Sequence, residues 1–462
     1  MRAGTLQYTK ASLATMFFWL LWGDFCFTLM ELVIPSILPL KMQSLNAPNW
    51  VLGMIVTTIP SAMNLMINPI VSFRSDRLRS RWGRRIPFLL MATPFVTLFL
   101  VLLGCSEPIG RALHDSFVSG MMSVSPSMTI MALIAVFVVC FQFFNMFICS
   151  VYYYLFNDVM PDEYLGRGIA LFRVVGAAAG SAFNFFIFPY GRTHMTTIFI
   201  GAGLLYCAGF IAMCLKIKEG EYPAPPQNIG GKMGLLAAAR TYSQECFSHP
   251  FYWRFFLMNA FFQLTTCMTA FSVLYWLSLG LTMKQVGFIQ GMVSLVMVIL
   301  YYPAGMLSDR FHPMRVMVGA MIGSVLLTPI GFIYLFHDFA PNKVFIILCV
   351  QNCVMLPMRV LYVAAALPAY MRILPKERYG QFGSADAMVR STMIIFGGLA
   401  AGIFMDLMKK VCGGDQFYYR FIPFWNISCQ LIGLWFMAYV YRSWKRHGGA
   451  RNYLPPKTWG NA

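Results

Sequence analysis

Charge is what this 462-residue chain has least of. Asp, Glu, Lys and Arg make up 11% of it, less than half the roughly 25% of an ordinary soluble domain. Acids are scarcer than bases: 17 Asp and Glu stand against 35 Lys and Arg, for a formal net charge of +18. The 6 histidines all fall in expected loops or span ends, with no pair at ligand spacing. The 12 cysteines show neither a metal nor a disulfide pattern. Most of them, such as Cys26, Cys140, Cys149, Cys207 and Cys353, sit in apolar runs, where a free thiol behaves as a small hydrophobe. No nucleophile–base pair or phosphate loop speaks for an enzyme. Neither a metal site nor a cofactor is expected.

The chain is rich in apolar residues, at 58%. Runs of about 20 of them recur, each long enough to cross a bilayer as a helix. The fold class expected is therefore an all-α membrane protein of about twelve transmembrane helices in two six-helix bundles. The spans predicted are 14–40, 50–73, 87–104, 128–156, 168–190, 195–215, 251–280, 284–306, 316–337, 343–371, 383–408 and 421–442. The first run is too long for a signal-peptide core, and no small-residue cleavage site follows it, so it is expected to remain as span 1. An even number of spans puts both termini on one side. Placing them in the cytoplasm gives the cytoplasmic loops a threefold excess of Lys and Arg. That bias accounts for the net charge without nucleic acid. The expected location is the cytoplasmic (inner or plasma) membrane, with lipids and a small-molecule substrate as partners and a monomer as the working unit.

Between Lys216 and Pro250 the apolar runs stop. "KEGEYPAPPQNIGGK" (218–232) reads as a Pro/Gly-rich linker. "MGLLAAARTYSQECF" (233–247) reads either as a short interfacial amphipathic helix or as an unstructured connector. The expected organisation is a first bundle at 1–215, a linker at 216–250, a second bundle at 251–445 and a cytoplasmic tail at 446–462. The halves echo each other. Span 2 ends in "SFRSDR" (72–77) and span 8 in "GMLSDR" (305–310). The loop after span 4 reads "MPDEYLGRG" (160–168), and the loop after span 10 reads "LPKERYGQF" (374–382). A six-plus-six repeat is the layout of a transporter in which two bundles rock around a central site.

Six arginines crowd "FRSDRLRSRWGRR" (73–85), far more than topology needs. Asp76 and Asp309 lie at span ends, where a carboxylate can cap a neighbouring helix and pair with arginine. Asp76, Arg77, Arg84, Arg85, Asp309 and Arg310 are therefore expected to form gate latches, the alternative being a solvated face for lipid phosphates.

"GMLSDR" carries the G-x-x-x-D-R pattern, and on that ground the chain resembles the major facilitator superfamily. "SRWGRRIPF" (80–88) is similar to the same loop in two sugar-carrying branches. These are the sucrose–proton symporters and the glycoside–pentoside–hexuronide cation symporters typified by melibiose permease. "ALFRVVGAAAG" (170–180) also resembles the second branch. The resemblance implies secondary active transport of a sugar or glycoside.

An ionisable group in mid-bilayer costs at least about 2.5–3.5 kcal/mol, so each one points to function or to a paired partner. In "WGDFCFTLMELVIP" (22–35), Asp24, Thr28 and Glu31 share one helical face. The "GDF" position resembles that of a sugar-contacting aspartate in melibiose permease; the alternative is a buried partner for a structural arginine. Arg173 in span 5 matches an arginine that the family uses for sugar hydroxyls, and Asn184 lies about three turns further on the same face. Gly176 and Gly180 read as a helix-packing pair. Asp386 and Arg390 in span 11 can neutralise each other at i,i+4, or act in coupling, since Arg390 aligns with a lysine beside the family's cation site. Arg359 in span 10 is a candidate partner for Glu31 or Asp24.

The departure from the family is in span 2. Melibiose permease-like proteins carry two cation-binding acids there, and this chain has Asn64 and Asn68. Amides bring no negative charge, so a sodium site is not expected. H+ is the coupling ion expected, through Asp24, Glu31, Asp386, Arg390 and Arg359. Tyr153, with Trp22, Tyr152, Phe172, Tyr275 and Trp276, offers apolar faces for a sugar ring or simply packs the core. The substrate-binding set expected is Asp24, Thr28, Tyr153, Arg173 and Asn184. Two other readings stay open: an organic-anion carrier, suited to arginines in the membrane, and a non-transporting sensor or assembly factor on the same fold.

Overall fold

The computed structural model describes residues 2–3, 5–118, 124–161, 164–220, 242–244, 246–375, 379–414 and 416–456. Among them, twelve helices are long and apolar enough to cross a membrane. The first six are α1 (Lys10–Ser44), α2 (49–77), α3 (Ile86–Gly104), α4 (Pro126–Val159), α5 (165–190) and α6 (Met195–Lys216). The second six are α7 (Pro250–Ser278), α8 (Met283–Phe311), α9 (Pro313–Phe336), α10 (Pro341–Ile373), α11 (Tyr379–Val411) and α12 (Gln416–Arg446). Ahead of α1 runs a two-residue antiparallel hairpin, β1 (Arg2–Ala3) with β2 (Leu6–Gln7). The protein is an all-α membrane protein, and each of the twelve expected spans has its helix.

The helix starts follow from local chemistry. Thr9 and Ser12 form a capping box ahead of α1, and Ser125 caps α4. Five starts, α3, α4, α7, α9 and α10, carry proline in the first turn, where its missing N–H costs nothing. Hydropathy gave no sign of the local breaks. α2 contains a π-helical turn at Met54–Thr58, and α5 contains one at Phe183–Ile187. A 3-10 turn interrupts α7 at Leu264–Met268 and α9 at Thr328–Phe332.

The chain divides into two compact units, Met1–Gln227 with Thr282–Leu295, and Asn228–Leu281 with Val296–Ala462. The expected boundary put all of span 8 in the second half, but its first part packs with the first unit. Gly287 lies so close to α5 that a Cβ there would stand 2.3 Å from the Asn184 carbonyl oxygen, and Ser181 donates to the Gly291 carbonyl at 3.1 Å. Small residues allow this approach, which their apolar neighbours do not announce. In the first unit, Phe27 of α1 meets Tyr152, Tyr206 and Phe210 in a buried aromatic core. The core of the second gathers Tyr252, Phe255, Phe256, Met314, Met317, Met437 and Trp444.

The stretch 233–247, read from sequence as helix or connector, lies outside the described residues except for 242–244 and 246–247, which are helical. Tyr242 reaches the start of α11, its hydroxyl 2.7 Å from Ser384 Oγ.

Candidate functional site

The first unit gathers most of the expected residues. Asp24 and Thr28, one turn apart on α1, face Gly176 of α5. A Cβ on Gly176 would stand 3.6 Å from Asp24 Oδ2 and 3.7 Å from Thr28 Oγ1. Gly176, read from sequence as packing, therefore leaves room beside a carboxyl group. Asp24 is only 3% exposed, and its Oδ2 has no hydrogen-bond partner among the described residues. Its charged neighbours are Glu31 and Arg173.

Glu31 turns to α4. Its Oε1 accepts from Asn145 Nδ2 at 3.3 Å and from Cys149 Sγ at 3.1 Å. One turn beyond Cys149, Tyr153 is exposed, with its ring 5.7 Å from that of Phe172 on α5. The adjacent Tyr152 is buried, and its hydroxyl donates to the Leu20 carbonyl at 2.7 Å, which holds α4 against α1. Arg173, one residue after Phe172, is exposed.

Beside this group, α2 and α4 line an open cavity of about 470 Å³. Its polar lining is Ser61, Asn64, Asn68, Cys149, Ser150, Tyr153 and Tyr154. Asn68 Nδ2 donates to Asn64 Oδ1 at 3.2 Å, and Ser150 Oγ donates to Asn68 Oδ1 at 2.6 Å. The two asparagines and Ser150 thus form a neutral hydrogen-bonded chain. Cys149 joins this cavity to Glu31. Asp24, Thr28, Glu31, Asn64, Asn68, Tyr153 and Arg173 are therefore carried on neighbouring faces of α1, α2, α4 and α5.

Asn184 is placed differently. It is buried in the π turn of α5, and its amide donates back to the Gly180 carbonyl at 2.8 Å. α8 packs closely here, with a Cβ on Gly287 standing 2.3 Å from the Asn184 carbonyl oxygen.

In the second unit, Asp386 is buried and fully engaged. Arg390 Nε donates to its Oδ2 at 2.8 Å, and Asn259 Nδ2 of α7 donates to its Oδ1 at 2.9 Å. This is the i,i+4 neutralisation that the spacing allowed. Arg359 is exposed on α10.

At the arginine run, the side chains of Asp76 and Arg77 lie outside the described residues. Arg84 and Arg85 bond to Asp158 near the end of α4. Arg84 Nη2 is 2.7 Å from Oδ1, and the Nε atoms of Arg84 and Arg85 are each 3.0 Å from Oδ2. At the start of α3 the cap is Glu219. Its carboxylate accepts from the backbone N–H of Arg84, Arg85 and Ile86 at 2.9, 2.8 and 2.7 Å. A carboxylate on the N–H groups that open a helix satisfies donors the helix cannot. Asp309 and Arg310 are exposed at the end of α8, with the Arg310 guanidinium 5.6 Å from the Phe311 ring.

Asn145, Cys149, Ser150, Asn259, Asp158 and Glu219 did not enter the expected site. The amides in "FFNMF" and "LMNAF" were legible as polar groups inside apolar runs. Nothing marks Cys149 or Ser150 until α4 is set against α1 and α2.

Twelve helices are long and apolar enough to cross a membrane, and the family match makes the protein a multi-pass membrane transporter. The chain belongs to the Major Facilitator Superfamily, whose family model matches residues 25–398. Among curated proteins it is similar to the sucrose transport protein SUT1 of Oryza sativa subsp. japonica, 38% identical over 52 residues. That match covers 11% of this chain and 10% of the rice protein. Solved structures match over nearly the whole length. A bacterial homolog of the human lysosomal transporter Spinster, inward-facing and occupied, has a TM-score of 0.68 at 11% identity, covering 97% of this chain and 100% of that one. A mutant of the nucleoside transporter NupG has 0.67 at 10% identity, covering 92% and 100%. A POT family transporter in complex with a thioalcohol-conjugated peptide has 0.56 at 12% identity, covering 93% and 96%. These likenesses show the fold. Family and fold point to a transporter rather than an enzyme.

Proposed function

We propose that this protein is a secondary active transporter that imports a sugar or glycoside together with protons by alternating access. It would sit in the cytoplasmic (inner or plasma) membrane with both termini inside, where the loop arginines favour that orientation. The observation that carries the reading is the cluster of Asp24, Thr28, Glu31, Tyr153 and Arg173 beside a neutral amide–hydroxyl cavity. A sugar offers several hydroxyl groups and an apolar ring face. Carboxylate and guanidinium take the first in charge-assisted hydrogen bonds, and the Tyr153 ring takes the second.

The proton reading rests on the same geometry. Asn64 and Asn68 bond to each other and to Ser150, so the cavity brings hydroxyl and amide groups but no charge for a sodium ion. The Asp24 carboxyl has one oxygen unpartnered among the described residues, and a proton completes it. Proton loss on the inner side would leave a carboxylate beside Arg173 and reset the site. Exposed guanidinium groups at Arg173 and Arg359 favour the second reading, an organic-anion carrier.

The test uses de-energised cells in weak buffer, given a panel of mono- and disaccharides while external pH is recorded. An alkaline jump with one of them, abolished by Asp24→Asn, is the expected result. No jump with any sugar, in cells shown to hold folded protein, removes proton–sugar symport and sends the search to organic anions.

A further inference from the structure

Both ends of the chain bring a tyrosine to the end of a long helix. Tyr8 stands one residue ahead of the Thr9 cap of α1. Its hydroxyl donates to the carbonyl of Val159 at 3.0 Å, and Val159 is the last residue of α4. Tyr453 follows α12. Its hydroxyl donates to the carbonyl of Ile373 at 3.1 Å, and Ile373 is the last residue of α10. The last four carbonyls of a helix have no partner within it. At both helix ends the next dipeptide closes the ladder: Met160-Pro161 in one case and Leu374-Pro375 in the other. Proline favours extended backbone in the residue before it and stops the helix there, so a donor for the last carbonyl must come from elsewhere. α4 and α10 are the fourth helices of the two halves, and these dipeptides open the two repeated loops.

The likeness extends to the first helix of each half. Tyr8 is continuous with α1, so its bond joins α1 to α4. In the second half the tail makes the equivalent join. Tyr252, in the first turn of α7, donates to the Pro456 carbonyl at 2.9 Å, and Pro456 is three residues from Tyr453. Residues 453–456 thus run from the first turn of α7 to the last residue of α10. Leu454 N–H donates to the His447 carbonyl at 3.0 Å and closes the tail onto α12. Tyr453 packs against the buried core of the second unit. Burial raises the phenol pKa of Tyr8, and burial with Tyr252 alongside raises that of Tyr453, so both remain donors.

We propose that Tyr8 and Tyr453 are positioning residues that tie the first helix of each six-helix half to the fourth, so that each pair moves as one piece when the transporter changes state. Neither tyrosine touches the site. Val159 lies ten residues beyond Cys149, roughly 15 Å along α4, so the tie acts through the helix. The C-terminal segment to Pro456 is then a working part of the second half. This rests on the chain being a transporter and is independent of its cargo.

The test needs no substrate. Purified full-length protein and its Tyr8→Phe and Tyr453→Phe variants are compared by amide hydrogen exchange and by N-ethylmaleimide labelling, read by peptide mass spectrometry. Each variant loses one hydroxyl and keeps its ring. One lost net hydrogen bond corresponds to faster exchange by roughly twofold to tenfold. The expected result is that rise at the end of α4 in Tyr8→Phe alone, and at the end of α10 in Tyr453→Phe alone. Labelling is the second readout. Cys149 lines the cavity on α4, and Cys353 is exposed on α10. Tyr8→Phe should change the rate at Cys149 at least about threefold, and Tyr453→Phe the rate at Cys353, with Cys412 unchanged as reference. Unchanged exchange at both helix ends would show that the ties carry no energy and would overturn the proposal. Faster exchange with unchanged labelling would reduce them to local caps, which also overturns it.

Discussion

Asp158 holds two arginines, and removing it should cost the first unit heavily. Its carboxylate lies 2.7 and 3.0 Å from Arg84 nitrogens and 3.0 Å from Arg85 Nε. The side chains are 10% exposed for Asp158, 5% for Arg85 and 19% for Arg84. Breaking a buried pair by removing one partner costs about 3–5 kcal/mol, because the remaining charge is stranded. Two features soften this for Arg85. Ser75 Oγ still accepts from it, and the Tyr154 ring lies 5.0 Å from its guanidinium. Arg84 can also turn towards water. The low end, about 3 kcal/mol, therefore applies to Asp158→Ala. At roughly 2–4 °C per kcal/mol for a unit of about this size, the melting temperature should fall by roughly 6–12 °C. The assay is thermal unfolding in detergent, followed with a dye that reacts with thiols such as the buried Cys26 and Cys214. The control is Glu107→Gln, which breaks an exposed pair with Arg111, 67% and 45% exposed. Such pairs are worth about 0–1 kcal/mol, so its shift should stay within roughly 4 °C and shrink in salt. If the two variants melt together, the arginines find equal partners elsewhere and the reasoning is wrong.

Gly83 has φ +100°, and a Cβ there would stand 2.4 Å from Glu219 Cδ. Gly83→Ala should therefore strain the loop and displace the carboxylate from the start of α3, at about 2 kcal/mol in the same melting assay. His312 has φ 72° and caps α9 by accepting from Met314 N–H at 3.3 Å. Burial first, then Arg372 and Arg315, lowers its pKa. The folded state then binds fewer protons than the unfolded one, whose His titrates near 6.5. The stabilisation is present above about pH 6.5 and is lost as pH falls towards the folded value. Wild type should lose more melting temperature between about pH 8 and pH 5 than His312→Asn, and equal losses would refute this. Installing two acids, Asn64→Asp with Asn68→Asp, should make uptake of the sugar found in the proton assay respond to sodium. Sodium-independent uptake by the double variant would show that a pair of acids at these positions is not enough for a sodium site in this cavity.

The spans were legible because an apolar run of about 20 residues has little else to be than a membrane-crossing helix, and the repeat was legible because two loops share their text. The site was legible only where a residue type is out of place. Asp24, Glu31 and Arg173 are charges in an apolar run, and their common face on α1 or their proximity across α5 follows from regular helix. Asn184 illustrates the limit. A count of 3.6 residues per turn carries it to the face of Arg173, but α8 covers that end of α5 and the Asn184 amide bonds back to Gly180. Partner choice was the other limit. Asp158 lies 74 positions from Arg84 and 73 from Arg85, and only the packing of α3 against α4 brings it to them. Glu219 lies 135 positions from Arg84, beyond any local rule.

The pairing of charges within each unit also bears on the transport chemistry. A body that moves as a whole must hold its own buried charges at every stage, or each stroke would expose an unpaired ion. Arg84 and Arg85 are held by Asp158, and Asp386 by Arg390 and Asn259, all by partners in the same unit. Such pairs need not break during a cycle, and they stiffen the piece that carries them. The charges that can change partners are those with open sides: Asp24 with an oxygen unpartnered among the described residues, Glu31 held by one oxygen through neutral groups, and the exposed Arg173 and Arg359. Selection of a cargo and movement of a proton both need groups whose partners differ between states. By that criterion we propose Asp24, Glu31, Arg173 and Arg359 as the working charges, while Arg84 and Arg85 share Asp158 within their own unit.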